Sequence, residues 1–185
     1  MKPVVLTDVL AVGEFPTLEQ VEILAKAGFR SIVNTQPDGE VARFEPDAEV
    51  AAEAGRHGLA HAYAPLSSRT PPADELACYA RALAALPAPI YAFCYSGARA
   101  AAACALLLTA REDVATILRQ FDEAGFDLSG IKPWLEAEQT RHRSSGGDGA
   151  RGNGATKTSE DRDEDGQRTE IVVHPRVASF GGYAL

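Results

Sequence analysis

The chain is poor in positive charge, in cysteine and in long apolar runs, and each shortage excludes something. It has 18 Lys and Arg against 26 Asp and Glu, a formal net charge of −8. That deficit argues against a nucleic-acid partner, because affinity for a phosphate backbone rests mostly on Lys and Arg. It does not exclude a small anion held where positive charge is gathered. The three cysteines, Cys78, Cys94 and Cys104, are an odd number without metal-type spacing, and His57 and His61 have no ligand spacing either. A disulfide framework, a metal site and a cofactor are therefore not expected. The longest apolar run, Ala98 to Ala110, falls short of the roughly 20 residues that span a bilayer. Met1-Lys2 and the short apolar stretch before Asp8 lack the pattern of a secretory signal. These features predict a cytoplasmic protein with reduced thiols and no membrane span.

What is present suits one globular domain with residues to spare: 185 residues, 45% hydrophobic and 24% charged. Strand and helix patterns alternate. Val9 to Val12 is an apolar opening strand, and Thr17-Leu-Glu-Gln20 is a capping box that starts a helix ended by Gly28. Phe29 to Val33 is a second strand, followed by the turn-rich Asn34-Thr-Gln-Pro-Asp-Gly39. Helices are expected over 46–57 and 74–86, with Asp74 as N-cap, and strands over 59–64 and 90–93. An apolar helix then runs to about Thr109. Asp113 to Ala124 is amphipathic, with Val114, Ile117, Leu118 and Phe121 on one face, and a last helix around Trp134 closes the domain near His142. The fold class is therefore α/β, three layers, a parallel-rich sheet with helices on both faces. Residues 143–169 are rich in Gly, Ser, Asn, Asp and Glu and read as a disordered linker. Residues 170–185 carry a strand-like Glu170-Ile-Val-Val173, which resembles the remnant of a second module.

The chemistry gathers at Cys94-Tyr-Ser-Gly-Ala-Arg99, between an apolar strand and a helix. A helix starting near Ala98 points its free amides and positive dipole end back at the Cys94 sulfur, and Arg99 adds a full charge; all favour a thiolate. Gly97 lets amides turn inward and form an anion nest. Thiolate, nest and guanidinium together suit nucleophilic attack on an anionic substrate. Tyr95, Ser96, Gly97 and Ala98 line its binding site, and the Ser96 hydroxyl is placed to donate to the sulfur. Asp38 is the candidate proton donor. Cys78 and Cys104 read as core residues, His57 as a partner of a helix C-terminus, His61 as a satisfied polar residue, and Arg69 as a pocket or solvent residue.

Phe29-Arg-Ser-Ile-Val-Asn34 with Pro37-Asp38-Gly39-Glu40, the Cys94 loop, and Gly125-Phe-Asp-Leu-Ser-Gly130 carry a family resemblance. Over most of residues 3–142 the chain resembles the phosphatase-like domain found in beta-lactamase hydrolase-like proteins. The resemblance implies a protein-tyrosine-phosphatase-like fold of the dual-specificity type and sulfur transfer as the activity, with a loop closer to rhodanese, C-R-S-G-T-R-S. This chain departs from that loop at Tyr95, Ala98 and Ala100.

Sulfur and phosphate compete as the transferred group. Phosphatases of this fold place five residues between Cys and Arg, where this chain has four. One residue fewer removes an amide and about 3.5 Å of contour, which favours a single sulfur atom over a phosphoryl group. Ala100 lacks the hydroxyl that phosphatases carry after the Arg, and a phosphatase needs an acid for its leaving group. The expectation is a sulfurtransferase that moves sulfane sulfur from thiosulfate or a low-molecular-weight persulfide, through a Cys94 persulfide, to an acceptor thiol, with a partner enzyme of sulfide oxidation. The alternative is a phosphatase acting through a Cys94 phosphocysteine. A third reading is a non-catalytic anion-binding module.

Overall fold

The computed structural model describes residues 2–145. In chain order the elements are β1 (Val4–Val5), β2 (Leu10–Glu14), α1 (Leu18–Lys26), β3 (Ser31–Asn34), α2 (Asp47–Arg56), β4 (Ala60–Tyr63), α3 (Ala73–Ala85), β5 (Ile90–Cys94), α4 (Ala98–Leu108), α5 (Val114–Glu123), a 3₁₀ turn (Ser129–Ile131) and α6 (Lys132–Ser145). One five-stranded sheet has the order β1-β2-β5-β3-β4, parallel except for β1, which pairs antiparallel with β2.

Alternation along the strands separates two cores. Leu10, Val12, Val33, Ile90 and Ala92 face one side, where they pack with residues of α3, α4, α5 and α6. Ala11, Ile32, Tyr91 and Phe93 face the other, against Val21 and Leu24 of α1 and Val50 and Ala54 of α2. The expected three-layer α/β arrangement is present. Strand β5 lies between β2 and β3 and is buried along its whole length. Its last residue, Cys94, is level with Glu14 at the end of β2, so the strand ends form one rim. Ligands of open parallel sheets bind beyond this rim.

Three details differ from the sequence expectation. The sequence suggests one opening strand; the structure has a hairpin, with Val4 opposite Val12 and the Thr7 hydroxyl accepting from the amides of Val9 and Leu10. A two-residue strand is too short to show a period. Asp74 does not cap α3: Pro72 occupies the N-cap, and Glu75 in the first turn binds the amide and hydroxyl of Ser67. Helix α6 continues through Arg143 to Ser145, beyond the expected end near His142. The linker beyond Ser145 and the segment 170–185 lie outside the described residues. The Thr17 capping box is formed as expected, with both of its hydrogen bonds.

Candidate active site

Cys94 ends β5 and is buried, 1% exposed, at the base of the turn into α4. Gly97 is the N-cap of α4 with φ 81°, a conformation that side chains other than glycine adopt at a cost. A Cβ there would also lie 2.9 Å from the Cα and the carbonyl oxygen of Gly13. Gly13 is held from its other side, since a Cβ on it would meet the Tyr91 hydroxyl at 2.3 Å. That hydroxyl donates to the Glu14 carbonyl at 2.7 Å. Burial pushes the Tyr91 phenol well above its usual range, so it remains a donor.

The first backbone bond of α4 runs from the Ala101 amide to the Gly97 carbonyl, 2.9 Å. The amides of Ser96, Gly97, Ala98, Arg99 and Ala100 have no partner among the described residues. Consecutive free amides of this kind, with the positive end of α4, make a cradle for an oxyanion. The Tyr95 amide is not part of it, because it donates to Gln36 Oε1 at 2.8 Å.

Arg99 is held tightly. Its Nη1 donates to Glu40 Oε2 at 2.8 Å and to the Leu66 carbonyl at 2.7 Å; its Nη2 donates to Glu40 Oε1 at 2.6 Å and, more weakly, to Gln36 Oε1 at 3.4 Å. Gln36 Nε2 in turn donates to Glu40 Oε2 at 2.7 Å. The Arg99 guanidinium holds the Glu40 carboxyl below its usual range, against a smaller opposing effect of burial. A carboxylate thus occupies the fork of Arg99, and an anion that uses this fork must displace it.

The other expected residues fall in different places. Asp38 is exposed, and its Oδ1 accepts from the Asp47 amide at 2.9 Å. Pro46, at the N-cap of α2, offers no side-chain bond, so Asp38 supplies the missing acceptor. The acid that reaches Arg99 is Glu40, two residues further on. Ser96 is exposed, and no bond from its hydroxyl to Cys94 is present among the described residues. Tyr95 projects outward, 48% exposed, beside Phe44. Cys104 is a core residue, and burial pushes its thiol up to about 12; Cys78 packs partly buried against the same core. His57 binds Glu53 at 2.8 Å and His61 binds Asp47 at 2.9 Å. Arg69 donates to the Asp127 carbonyl and ties the loop after β4 to the Gly125–Gly130 stretch. Among the described residues no cluster could hold a metal ion, and no helix is long and apolar enough to cross a membrane.

No local sequence pattern marks Gln36, Glu40 or Gly13 as a site residue. Gln36 lies inside a stretch whose composition is that of a turn, and only its burial, 2% exposed, reveals a structural polar residue. Glu40 was visible only as part of the Pro37–Glu40 motif.

A family model for the phosphatase-like domain of beta-lactamase hydrolase-like proteins matches residues 4–110. The chain belongs to this family. Its relatives include beta-lactamase hydrolase-like proteins of Xylella fastidiosa, 33% identical over 150 residues, and of Agrobacterium fabrum, 28% identical over 140. Each match covers 75% of this chain but only 32% of the relative, so the chain spans about a third of those proteins. A Neisseria meningitidis protein described as a candidate phosphatase has the same fold, with a TM-score of 0.67 at 20% identity, covering 73% of this chain and 96% of that one. Kinase-associated phosphatase aligns with a TM-score of 0.61 at 13% identity, covering 73% and 88%. This phosphatase-like domain therefore has the fold of protein tyrosine and dual-specificity phosphatases.

Proposed function

We propose that the domain is a cysteine-dependent hydrolase of phosphatase type, with Cys94 as nucleophile. The observation that carries this is the run of unpartnered amides from Ser96 to Ala100 around a buried cysteine. The four-residue spacing favours sulfur on the grounds that a shorter loop loses donors. Five amides still stand free, enough to surround the three oxygens of a phosphoryl group. The family and the fold support the same reading.

In the first step Sγ of Cys94 attacks phosphorus, an S–P bond forms, and the bond to the leaving oxygen breaks. The amides and Arg99, once released by Glu40, stabilise the charge on the equatorial oxygens. In the second step water attacks the phosphocysteine, the S–P bond breaks, and phosphate leaves with the thiolate restored. Asp38 is engaged at α2, so the reading fits substrates whose leaving group departs without a proton, such as aryl phosphates, acyl phosphates or phosphoanhydrides.

Sulfur transfer is a second reading, supported by Ala100, which has no hydroxyl to assist the departing thiolate, and by the engagement of Asp38. A sulfur donor breaks a weak S–S bond and needs no acid. Thiosulfate would yield sulfite and a Cys94 persulfide, whose outer sulfur an acceptor thiolate would then take, breaking the S–S bond and restoring the Cys94 thiolate. Neither the fold nor the relatives favour it over phosphoryl transfer. Turnover of an aryl phosphate beside thiosulfate plus cyanide, for the wild type, Cys94→Ser and Arg99→Lys, separates the two. Phosphate release that is lost in Cys94→Ser supports the hydrolase. Thiocyanate formation without phosphate release overturns it in favour of sulfur transfer.

A further inference from the structure

The segment 36–44 borders the Cys94–Arg99 loop at two places. Gln36 and Glu40 hold its backbone and its arginine from inside. Further along, Phe44 lies 5.7 Å from the Tyr95 ring and stacks on Phe15 at 4.2 Å. The guanidinium carbon of Arg43 stands 5.1 Å from the centre of each of the Tyr95 and Phe44 rings.

The two arginines are held in opposite ways. The Nη groups of Arg99 spend their donors on Glu40, Leu66 and Gln36. Arg43 is positioned by ring faces, and a guanidinium attracted to a π face keeps its N–H groups, which lie in its own plane, for other acceptors. A carboxylate partner would have neutralised the charge and taken those donors. Ring contacts fix the cation and leave it available. It lies against the side chain of Tyr95, the residue that follows Cys94, in a chain whose net charge is −8.

We infer that Arg43, held by Tyr95 and Phe44, forms a second anion subsite at the rim, so that the preferred substrate carries a further anionic group beside the one attacked by Cys94. The substrate class is a phosphoanhydride or a bisphosphate rather than a lone phosphomonoester. Arg43 takes the second group while the loop amides take the first. This inference rests on the phosphatase reading for the nature of the anion, but its test is a binding measurement that needs no turnover.

The test compares the affinities of methylphosphonate and methylenediphosphonate, neither of which can be hydrolysed, for the wild type, Arg43→Gln and Arg43→Lys, by calorimetry or by protection of Cys94 from alkylation. One charge-assisted contact at an exposed site corresponds to a preference of up to about fivefold for the diphosphonate. The readout is the ratio of the two affinities. It should collapse toward unity in Arg43→Gln and recover in part in Arg43→Lys, where charge is kept but the planar fork is lost. A wild-type ratio near unity, or a ratio unchanged in Arg43→Gln, overturns the subsite. So does failure of both anions to bind. Loss of aryl phosphate turnover with the ratio intact would instead remove the hydrolase reading and leave the subsite standing.

Discussion

Gly97 and Gly13 meet backbone to backbone: the position of a Gly97 Cβ is 2.9 Å from Gly13 Cα and from Gly13 O. The turn that carries Cys94 into α4 thus closes onto the end of β2, and two glycines are required for it. Gly97→Ala adds a left-handed residue to that collision. It should cost about 1–3 kcal/mol of stability and, by shifting the amides, on the order of a hundredfold in turnover. Denaturant unfolding and kcat/KM on one preparation check both.

Gly13→Ala should act through Tyr91. The new methyl would meet the Tyr91 hydroxyl at 2.3 Å and break its bond to the Glu14 carbonyl. A loss of about 1–3 kcal/mol is expected from the overpacking. The double variant Gly13→Ala with Tyr91→Phe removes the closest atom and should regain part of it. Equal stability of the single and double variants would contradict the packing account.

Glu40→Gln frees the fork of Arg99. At neutral pH it should tighten binding of a small oxyanion by up to about fivefold, the scale of a partly exposed ion pair. The sign with pH follows from the lowered Glu40 pKa. Its pairing with Arg99 is in force above the ordinary glutamate value of about 4.3 and is lost as pH falls through the lower folded value. The difference between variant and wild type should therefore be present from mildly acidic to neutral pH and fade in strong acid.

The fold was legible where the sequence repeats a period. The Thr17 capping box, the apolar runs that form β3 and β5, and the face of α5 formed by Val114, Ile117 and Phe121 all stand where the pattern placed them. The Cys94–Arg99 loop was legible because strand, glycine and helix follow one another in the chain. What supports it was not. Gln36 and Glu40 are separated from Arg99 by 63 and 59 residues and meet it only through the parallel pairing of β3 with β5. Asp38 has the residue type of a proton donor, and no local pattern signals that its Oδ1 also accepts from the Asp47 amide at the start of α2, where Pro46 offers no side-chain cap. Composition cannot distinguish a catalytic acid from a cap supplied by a distant residue.

The cysteines should respond differently to alkylation. Burial holds Cys104 up to about 12, so its thiol stays protonated at neutral pH. Iodoacetate at pH 7.5 should label Cys94 in the folded protein and leave Cys104 until unfolding. The same shift makes stability fall as pH rises above about 8.5, because the unfolded thiol ionises there while the buried one does not. Cys104→Ala should flatten that decline, as read from urea midpoints on either side of that pH.

The central proposal is that Cys94 takes a phosphoryl group, and the covalent adduct tests it most directly. The protein is mixed with an aryl phosphate, quenched within the first turnovers and digested, and the peptide containing Cys94 is weighed; a parallel sample receives thiosulfate. A phosphoryl adduct on Cys94 that is absent from Cys94→Ser is the predicted result. An unmodified Cys94 peptide after aryl phosphate, with one added sulfur atom after thiosulfate, would contradict it.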